Sequence, residues 1–297
     1  MNPSHALVPA LLIAIGAINA APADAITVAR GSDVQTFDSR QGAVAYIALR
    51  GSGLTLRVRS ASGRTRVVAR GKTDESAVRE DFSDLRAGSD ARGATVFVFS
   101  RGRGTGQALW AVHAASGGAR RLKGTDRRGR AETRPSLYAG RLGYFAGERL
   151  VTRALAGGPE RRVPLARGED PIYDAAVGPG LFVVELEGSS ANGGSSGVGV
   201  LRGGRFDMVR NTPNGEGTSS TVDYMNVLDG RLHVAVTSDT SAEGVFRAPL
   251  TRSRARLERA KPVNDAGASP FSGDTYVVSR RAGGRTDLVT RRLRFKR

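Results

Sequence analysis

The residues of this chain that could do chemistry are carboxylates and tyrosines in polar segments, each of which precedes a short apolar strand. The carboxylates are Asp81, Asp84, Glu132, Glu169, Asp170, Asp174, Asp223 and Asp265. Carboxylates that converge on one point could bind a divalent cation through hard oxygen ligands, or could hold a cationic group of a partner. Tyrosines in comparable places could add stacking surface; they are Tyr138, Tyr173 and Tyr224. Asp is also a common turn residue that caps its own backbone, and nearby arginines could simply pair with these carboxylates.

From these segments we select five candidate residues for binding a ligand or partner: Asp84, Tyr138, Asp174, Asp223 and Tyr224. We expect alanine at Asp174 and Asp223 to weaken partner capture with little effect on the melting temperature. The acidic residues show no spacing that is diagnostic of metal ligands, so we assign no metal site and no cofactor. A divalent cation stays open as an alternative.

Catalytic chemistry has little support in the sequence. There is no H-E-x-x-H motif and no P-loop, and the glycine-rich segment Gly102–Gly106 links two predicted strands and opens no helix. His113 and His233 lie inside predicted strands and lack an accompanying nucleophile motif. Trp110 follows strand periodicity, and we expect it in the core. We therefore assign no catalytic residue and favour a protein that is not an enzyme.

The elements that must position these residues are short apolar strands that recur six times. They are Val44–Leu49, Val96–Phe99, Leu142–Phe145, Leu181–Val184, Leu232–Val236 and Thr275–Val278. Most follow a glycine-containing turn and precede a second, alternating strand, which indicates antiparallel meanders. In Leu54–Arg59 the apolar residues alternate with threonine and arginines, as expected of a strand with one buried face. A repeat of about 45 residues is typical of a propeller blade. We therefore predict an all-β chain, a six-bladed β-propeller of four-stranded antiparallel blades.

The repeat also resembles a known family. A polar link, an apolar strand, a second strand, a Gly-Gly turn and Arg-Arg-Leu follow one another in Ser89–Leu122, and similarly in Arg134–Leu165. Ser269–Gly273 is a third, shorter match. This pattern resembles the TolB-type β-propeller repeat, although the family's Asp-Gly turn is replaced by Ala91–Gly93 and Ala139–Gly140. The resemblance implies six blades, a place outside the cytoplasm and binding to other proteins.

The two ends of the chain suggest how the ring closes. The last unit, which contains Thr275–Ser279 and Asp287–Leu293, is one strand short, while Ile26–Ala29 is a strand without a unit of its own. Pairing them would seal the ring and remove exposed strand edges. The alternative is that Ile26–Ala29 is a frayed tail. We predict closure by this N-terminal strand.

The first 25 residues have the features of a secretory signal. Ala6–Ile18 is an apolar run without charge, and small residues follow it up to Ala25. Such a run is too short to span a membrane but fits the hydrophobic region and cleavage site of a signal peptide. Cleavage after Ala25 is the first choice and cleavage after Ala20 the alternative. The prediction is a signal over residues 1–25 and one propeller domain over residues 26–297, located in the cell envelope.

The charge of the chain is strongly positive, with a formal net charge of +17 and no cysteine. Such a surface attracts polyanions with a salt-dependent affinity that does not read sequence. The basic residues are scattered in several clusters, and no nucleic-acid recognition motif accompanies them. We expect an anionic polymer as a possible partner, and no specific nucleic acid.

We predict a secreted, non-enzymatic propeller that binds a protein or ligand in the cell envelope, as a monomer that does not span the membrane. One alternative is a metal-dependent hydrolase that cleaves lactones or glycans, with Asp81, Glu132, Asp174 and Asp223 around one cation. The other alternative is a binder of anionic cell-wall polymers whose affinity collapses as salt rises.

Overall fold

The structure of the chain, a computed structural model, describes most residues from 25 onward. The described ranges are 25–72, 82–102, 106–125, 129–164, 172–188, 195–203, 205–212, 220–238, 244–250, 258–260, 268–282 and 285–296. The secretory signal predicted for residues 1–25 therefore lies almost wholly outside them. No helix within these ranges is long and apolar enough to cross a membrane.

The described residues form β-strands almost throughout. In chain order the strands are β1 Thr27–Arg40, β2 Ala43–Arg50, β3 Gly53–Arg59, β4 Thr65–Lys72, β5 Phe82–Ser89, β6 Thr95–Arg101, β7 Ala108–His113, β8 Arg120–Arg121, β9 Glu132–Tyr138, β10 Arg141–Ala146, β11 Arg149–Ala154, β12 Arg161–Arg162, β13 Ile172–Gly178, β14 Leu181–Gly188, β15 Ser195–Arg202, β16 Arg205–Thr212, β17 Ser220–Leu228, β18 Arg231–Ser238, β19 Gly244–Pro249, β20 Glu258–Ala260, β21 Ala268–Ser272, β22 Thr275–Ala282, β23 Arg285–Arg292 and β24 Phe295–Lys296.

Within the described ranges these strands make six antiparallel blades arranged in a ring. Blade 1 is the C-terminal part of β1 with β2–β4, blade 2 is β5–β8, blade 3 is β9–β12, blade 4 is β13–β16, blade 5 is β17–β20, and blade 6 is β21–β23 with the N-terminal part of β1. Contacts between the first strands of successive blades order the blades around the ring. The predicted six-bladed β-propeller is confirmed, and each of the six apolar strands identified in the sequence is the second strand of a blade.

The pattern of burial explains why these sequences form blades. In β3 the buried Leu54, Leu56 and Val58 alternate with half-buried Thr55 and Arg57, which is the period of two that a strand imposes. The second strands are more uniformly apolar because both of their faces are covered by neighbouring blades. Val96 and Val98 pack towards blade 3, whereas Phe97 and Phe99 pack towards blade 1. The hydrophobic core is therefore a series of layers, one between each pair of neighbouring blades.

The N-terminal strand closes the ring, as the sequence predicts. Thr27 pairs with Val289 of β23, and Ala29 pairs with Leu288. The backbone of Ile26 both donates to Thr290 Oγ1, at 2.8 Å, and accepts from the backbone N–H of Thr290, at 2.9 Å. β1 continues without interruption from blade 6 into blade 1, so one strand belongs to two blades. This strand removes the open edge that the last blade would otherwise present.

The C-terminal strand adds a connection that the sequence did not reveal. Phe295 pairs with Ala260, and Lys296 pairs with Arg259, so β24 becomes a fifth strand at the outer edge of blade 5. The Phe295 ring lies 5.6 Å from the Tyr276 ring, and the Arg247 guanidinium lies 3.9 Å from the Phe295 centroid. The chain thus leaves blade 6 and ends on its neighbour, which ties these two blades together.

Candidate functional site

The centre of the ring is lined by the first strand of each blade, and one position recurs in all six. Cross-strand pairing places this ring position at Asp38, Arg86, Ser136, Ala176, Asn226 and Ser269. Five of the six residues are polar, although they lie in strands that are otherwise largely buried. A polar side chain at this depth needs a hydrogen-bond partner, so its partners show what the ring position does.

A hydrogen bond between neighbouring blades repeats at the ring position. The backbone N–H of Ala87 donates to Asp38 Oδ2 at 2.6 Å, that of Val177 donates to Ser136 Oγ at 3.0 Å, and that of Ser39 donates to Ser269 Oγ at 2.7 Å. In each case the donor follows the ring position of the next blade. These bonds join blade 1 to blade 2, blade 3 to blade 4, and blade 6 to blade 1, so the ring residues bind the blades laterally.

Asp38 is the hub of this arrangement and is completely buried. Besides the Ala87 N–H, its carboxylate accepts hydrogen bonds from the backbone N–H of Ser39 at 2.7 Å and from Ser269 Oγ at 2.5 Å. Tyr224 Oη donates to Oδ1 at 3.0 Å, and Asn226 Nδ2 donates to Oδ2 at 3.2 Å. Side chains of blades 1, 5 and 6 therefore meet at the axis. Burial raises the pKa of Asp38 above its ordinary value, although these hydrogen bonds oppose the rise.

An ion pair lies beside this hub. Arg86 Nη2 is 2.9 Å from Asp174 Oδ2, and the Arg86 guanidinium lies 5.8 Å from the centroid of the Tyr224 ring. Burial by itself would lower the pKa of Arg86, but Asp174 and Asp38 outweigh it and raise that pKa. Burial, followed by the charge of Asp38, likewise raises the pKa of Tyr224 well above its ordinary value. At physiological pH Arg86 therefore stays a cation and Tyr224 a neutral phenol.

Asp84 belongs to a separate network on β5. Its backbone has a positive φ of 53°, and its Oδ2 accepts hydrogen bonds from Ser83 Oγ, Ser100 Oγ and the backbone N–H of Arg134 at 3.0–3.1 Å. The contact with Arg134 joins blade 2 to blade 3. Asp84 therefore joins neighbouring blades as the ring residues do, but from a position nearer the start of β5.

The structure brings only some of the five candidate residues together. Asp174 and Tyr224 share Arg86 as a neighbour. Tyr138 instead lies at the C-terminal end of β9, next to the turn at Ala139 and Gly140. Asp223 is part of β17, but its side chain lies outside the described part of the structure. The sequence places all these residues in links between units, whereas the structure places them in the first strand of each blade. Their role in binding a partner stays a prediction.

The metal alternative gains no support from the described residues. Among them there is no group of three or more histidine and carboxylate side chains that could hold a metal ion. Asp81 is outside the described ranges, and Asp174 is engaged by Arg86. Glu132 accepts hydrogen bonds from Arg130 Nε and Nη2. Two of the four predicted ligands therefore already have cationic partners.

The histidine, tryptophan and serine positions considered for chemistry lie in strands, where their contacts support the fold. His233 is buried, and its Nδ1 lies 2.9 Å from Tyr276 Oη. Trp110 packs against the core between blades 1 and 2, with the Arg101 guanidinium 4.9 Å from its ring centroid. Gly193–Gly197 matches the G-x-S-x-G pattern of hydrolases, but Ser195 begins strand β15. A nucleophile elbow requires a turn from a strand into a helix.

Four residues of the ring centre were not predicted from the sequence: Asp38, Arg86, Asn226 and Ser269. A signal for three of them was present, because Asp38, Asn226 and Ser269 each precede a turn glycine by four residues, and Ser136 does the same. A polar residue at a fixed distance before each turn indicates one ring position repeated from blade to blade. Arg86 lacks this signal because the turn that follows β5 is longer.

Comparisons with known proteins show the fold alone. No family model matches the chain, and no curated protein matches it. Among solved structures, TolB from Acinetobacter baumannii is similar over 84% of this chain and 63% of its own, with 12% identity and a TM-score of 0.55. The PQQ-bound aldose sugar dehydrogenase from Streptomyces coelicolor is similar over 91% of this chain and 98% of its own, with 12% identity and a TM-score of 0.54.

A third similar structure differs in how its ring closes. The β-propeller domain of the Trilobed protease from Pyrococcus furiosus is similar over 88% of this chain and 95% of its own, with 9% identity and a TM-score of 0.51. That domain is described as having an open velcro topology, whereas here β1 pairs with β23. Identities this low leave function open, since one fold hosts many functions.

Proposed function

We propose that this chain is a non-catalytic propeller that acts outside the cytoplasm and holds a partner protein on one face of its ring. The observation that carries the proposal is the use of the central carboxylates. Asp38 and Asp174, which a hydrolytic or metal-dependent centre would need free, accept hydrogen bonds from backbone N–H groups, hydroxyls and Arg86. The centre of the ring is therefore built to join blades, and the faces of the ring are left for recognition.

The similar structures support this proposal only at the level of fold. TolB shares the architecture, and the sequence pattern in Ser89–Leu122 resembles the TolB-type repeat. The sugar dehydrogenase shares the architecture as well, so the fold by itself does not separate binding from catalysis. The position outside the cytoplasm rests on the apolar run Ala6–Ile18 and the small residues that follow it.

Partner capture tests the proposal. The full chain, tagged at its C-terminus and recovered from its own cell envelope, is compared with Asp223→Ala, which removes a carboxylate from the N-terminal half of β17. The control is Asp207→Ala, an exposed carboxylate on the outer strand β16. We expect one protein to be captured by the wild type and the control and to be lost with Asp223→Ala. Equal capture by the wild type and the two variants would show that the face of the ring that carries Asp223 does not bind the partner.

The location is tested separately. Mass spectrometry of the protein recovered from the producing cells identifies its first residue, and fractionation gives its compartment. We expect the mature chain to begin at Ile26 and to be found in the envelope or the medium. An uncleaved N-terminus together with a cytoplasmic location would contradict this part of the proposal.

A further inference from the structure

A cavity of about 380 Å³ lies at one end of blade 3, next to the turn that joins β9 and β10. Its lining includes three arginines and a pair of adjacent glycines, and none of the lining residues that the structure describes is acidic. The residues used below are Arg141, Thr152, Arg153, Gly157, Gly158 and Arg161. This combination of a half-open cavity and one sign of charge distinguishes the site from the scattered basic clusters of the surface.

Two of the three arginines, Arg141 and Arg153, are held in place by neutral groups. They lie on opposite faces of blade 3, because Arg141 pairs with Ala154 whereas Arg153 pairs with the neighbouring Leu142. Arg141 Nε donates to Thr152 Oγ1 at 3.1 Å, and its guanidinium lies 4.8 Å from the centroid of the Phe182 ring. Arg153 is 8% exposed, and its Nη2 donates to the backbone carbonyl of Lys123 at 2.7 Å. Arg161 is exposed on the outer strand β12. Burial lowers the pKa of Arg141, which reflects the cost of placing this charge away from water.

None of these three arginines forms an ion pair with a carboxylate of the described ranges. Glu160, the next acid along the chain, accepts hydrogen bonds from Arg130 at 2.8 Å and from Tyr144. A partly buried cation without an anion is unfavourable, so an anion entering this cavity would gain more than one at an open surface.

A larger cavity, of about 490 Å³, shows the contrast. It lies where blades 1, 5 and 6 meet, and two of its arginines are already neutralised by aspartates that also line it. Arg40 pairs with Asp229 at 2.5 Å, and Arg247 pairs with Asp274. The cavity in blade 3 is thus the better candidate of the two for an anionic ligand.

The cluster is a feature of blade 3 and is not part of the repeat. Pairing of the second and third strands places Val96 and Val112 of blade 2 where blade 3 has Arg141 and Arg153. Both valines are buried. The shared architecture therefore does not require arginines at these two positions.

The loop beside the arginines leaves room for a ligand. Gly157 and Gly158 have φ values of +120° and +119°, which side chains rarely allow. A Cβ atom on Gly158 would meet nothing within 4 Å. The glycine pair thus keeps this side of the cavity free of side chains and open to approach.

We propose that this cavity binds a phosphate group. A guanidinium matches two phosphate oxygens with its planar fork of donors. The guanidinium groups of Arg141 and Arg161 lie on the same face of blade 3 as Thr152 and suit such an anion. Arg141 forms the fixed part of the site and Arg161 lies at its edge, whereas the guanidinium of Arg153 is held against blade 2. The phosphate group belongs either to a small free molecule or to a repeating phosphate diester of an anionic wall polymer. The site stands independently of the proposed partner face.

Calorimetric titration of the full chain with inorganic pyrophosphate, at constant ionic strength, tests the site. Arg161→Gln removes one donor and one charge from an exposed position, so the variant retains the fold. Its matched control is Arg120→Gln, because Arg120 occupies the same strand position in blade 2, where it pairs with Ala111 as Arg161 pairs with Thr152. We expect about tenfold weaker binding for Arg161→Gln, from the loss of one charge-assisted hydrogen bond, and unchanged binding for Arg120→Gln.

Two results would overturn the site: no heat of binding with the wild-type chain, or an equal loss of affinity in the two variants, which would show attraction by net charge alone. A second titration, with a glycerol phosphate oligomer, distinguishes the sources of the phosphate. Tighter binding per phosphate than with glycerol phosphate indicates the polymer, and equal binding indicates a small molecule. Whether the phosphate comes from the polymer or from a small molecule, Arg161→Gln should lose about the same affinity. Neither result depends on capture of a partner protein.

Discussion

Arg86 of blade 2 and Asp174 of blade 4 form an ion pair of 2.9 Å, although blade 3 lies between these blades in the ring. Both side chains are largely buried, with 20% and 13% of their surface exposed. Arg86 also lies over the Tyr224 ring of blade 5. Three blades are therefore connected through one guanidinium close to the axis, where each first strand approaches the others.

The ion pair predicts a large effect on stability for Asp174→Ala. Removing the carboxylate leaves the Arg86 charge in a buried position, which costs about 3 kcal/mol of unfolding free energy for such a pair. The sequence alone predicts little change in melting temperature for this variant, so the structure reverses that expectation. Urea unfolding measures the difference, and Asp207→Ala in the same blade serves as the exposed control. An unfolding free energy equal to that of the wild type would contradict the role of the pair.

His233 predicts a specific dependence of stability on pH. Burial, reinforced by the charges of Arg247 and Arg231, lowers the pKa of His233 to about 3. Between this value and the unfolded value of 6.5 only the unfolded chain takes up the proton, so acidification favours unfolding. The contribution is complete above pH 6.5, and about 2 kcal/mol of it is lost by pH 5.

The measurement is the unfolding free energy of the wild type and of His233→Gln between pH 5 and pH 7. We expect the difference between the two proteins to shrink towards pH 5, because the variant has no imidazole to protonate. His113→Gln is the control, since His113 is only half-buried on β7. If both variants show the same dependence of unfolding free energy on pH as the wild type, the burial of His233 does not cause that dependence.

The closing strand predicts a sharp boundary in an N-terminal deletion series. A chain that starts at Ile26 keeps the pairing of β1 with β23, whereas one that starts at Arg30 loses the pairs made by Thr27 and Ala29. Val28 and Ala29, which are buried in the core between blades 6 and 1, are lost as well. We expect the first chain to melt at the temperature of the full chain and the second to melt several degrees lower. Equal melting temperatures would show that the ring does not depend on this closure.

Gly88 predicts a steric limit where blades 2 and 3 meet. A Cβ atom at this residue would lie 2.1 Å from the backbone carbonyl oxygen of Leu137. Backbone cannot rotate away as a side chain would, so Gly88→Ala forces the two first strands apart and costs about 2 kcal/mol. Gly118→Ala, where a Cβ meets nothing within 4 Å, should leave the melting temperature unchanged. A loss of stability that is equal in both variants would show that the contact with Leu137 is not its cause.

The sequence predicts local features of this fold well and long-range features poorly. Glycine turns, alternating burial and the recurrence of apolar strands are visible within a few residues, and they correctly predict six blades. The unpartnered strand Ile26–Ala29 also allows the closure to be predicted. The centre of the ring is different, because Asp38 finds its partners at Ala87, Tyr224 and Ser269, which lie far away along the chain.

The candidate sites differ in the same way. Asp174 and Tyr224 were identified from their types and positions, but the guanidinium of Arg86 that connects them could not be, since a single arginine among so many carries no signal. The cavity of blade 3 depends on Arg141, at a position that blade 2 fills with Val96. Such a departure from the repeat becomes visible only when the blades are aligned through their strand pairing.

The first and last described strands, β1 and β24, are anchored on neighbouring blades of the ring, which has a consequence for biosynthesis. Ile26 and Thr290, which bond to each other, are 264 residues apart, and Phe295 must reach the edge of blade 5 afterwards. A ribosome has to deliver every residue from Ile26 to Thr290 before the circle can be completed. Until then the nascent chain has no finished seam, and the edge of β1 that later pairs with β23 stays open.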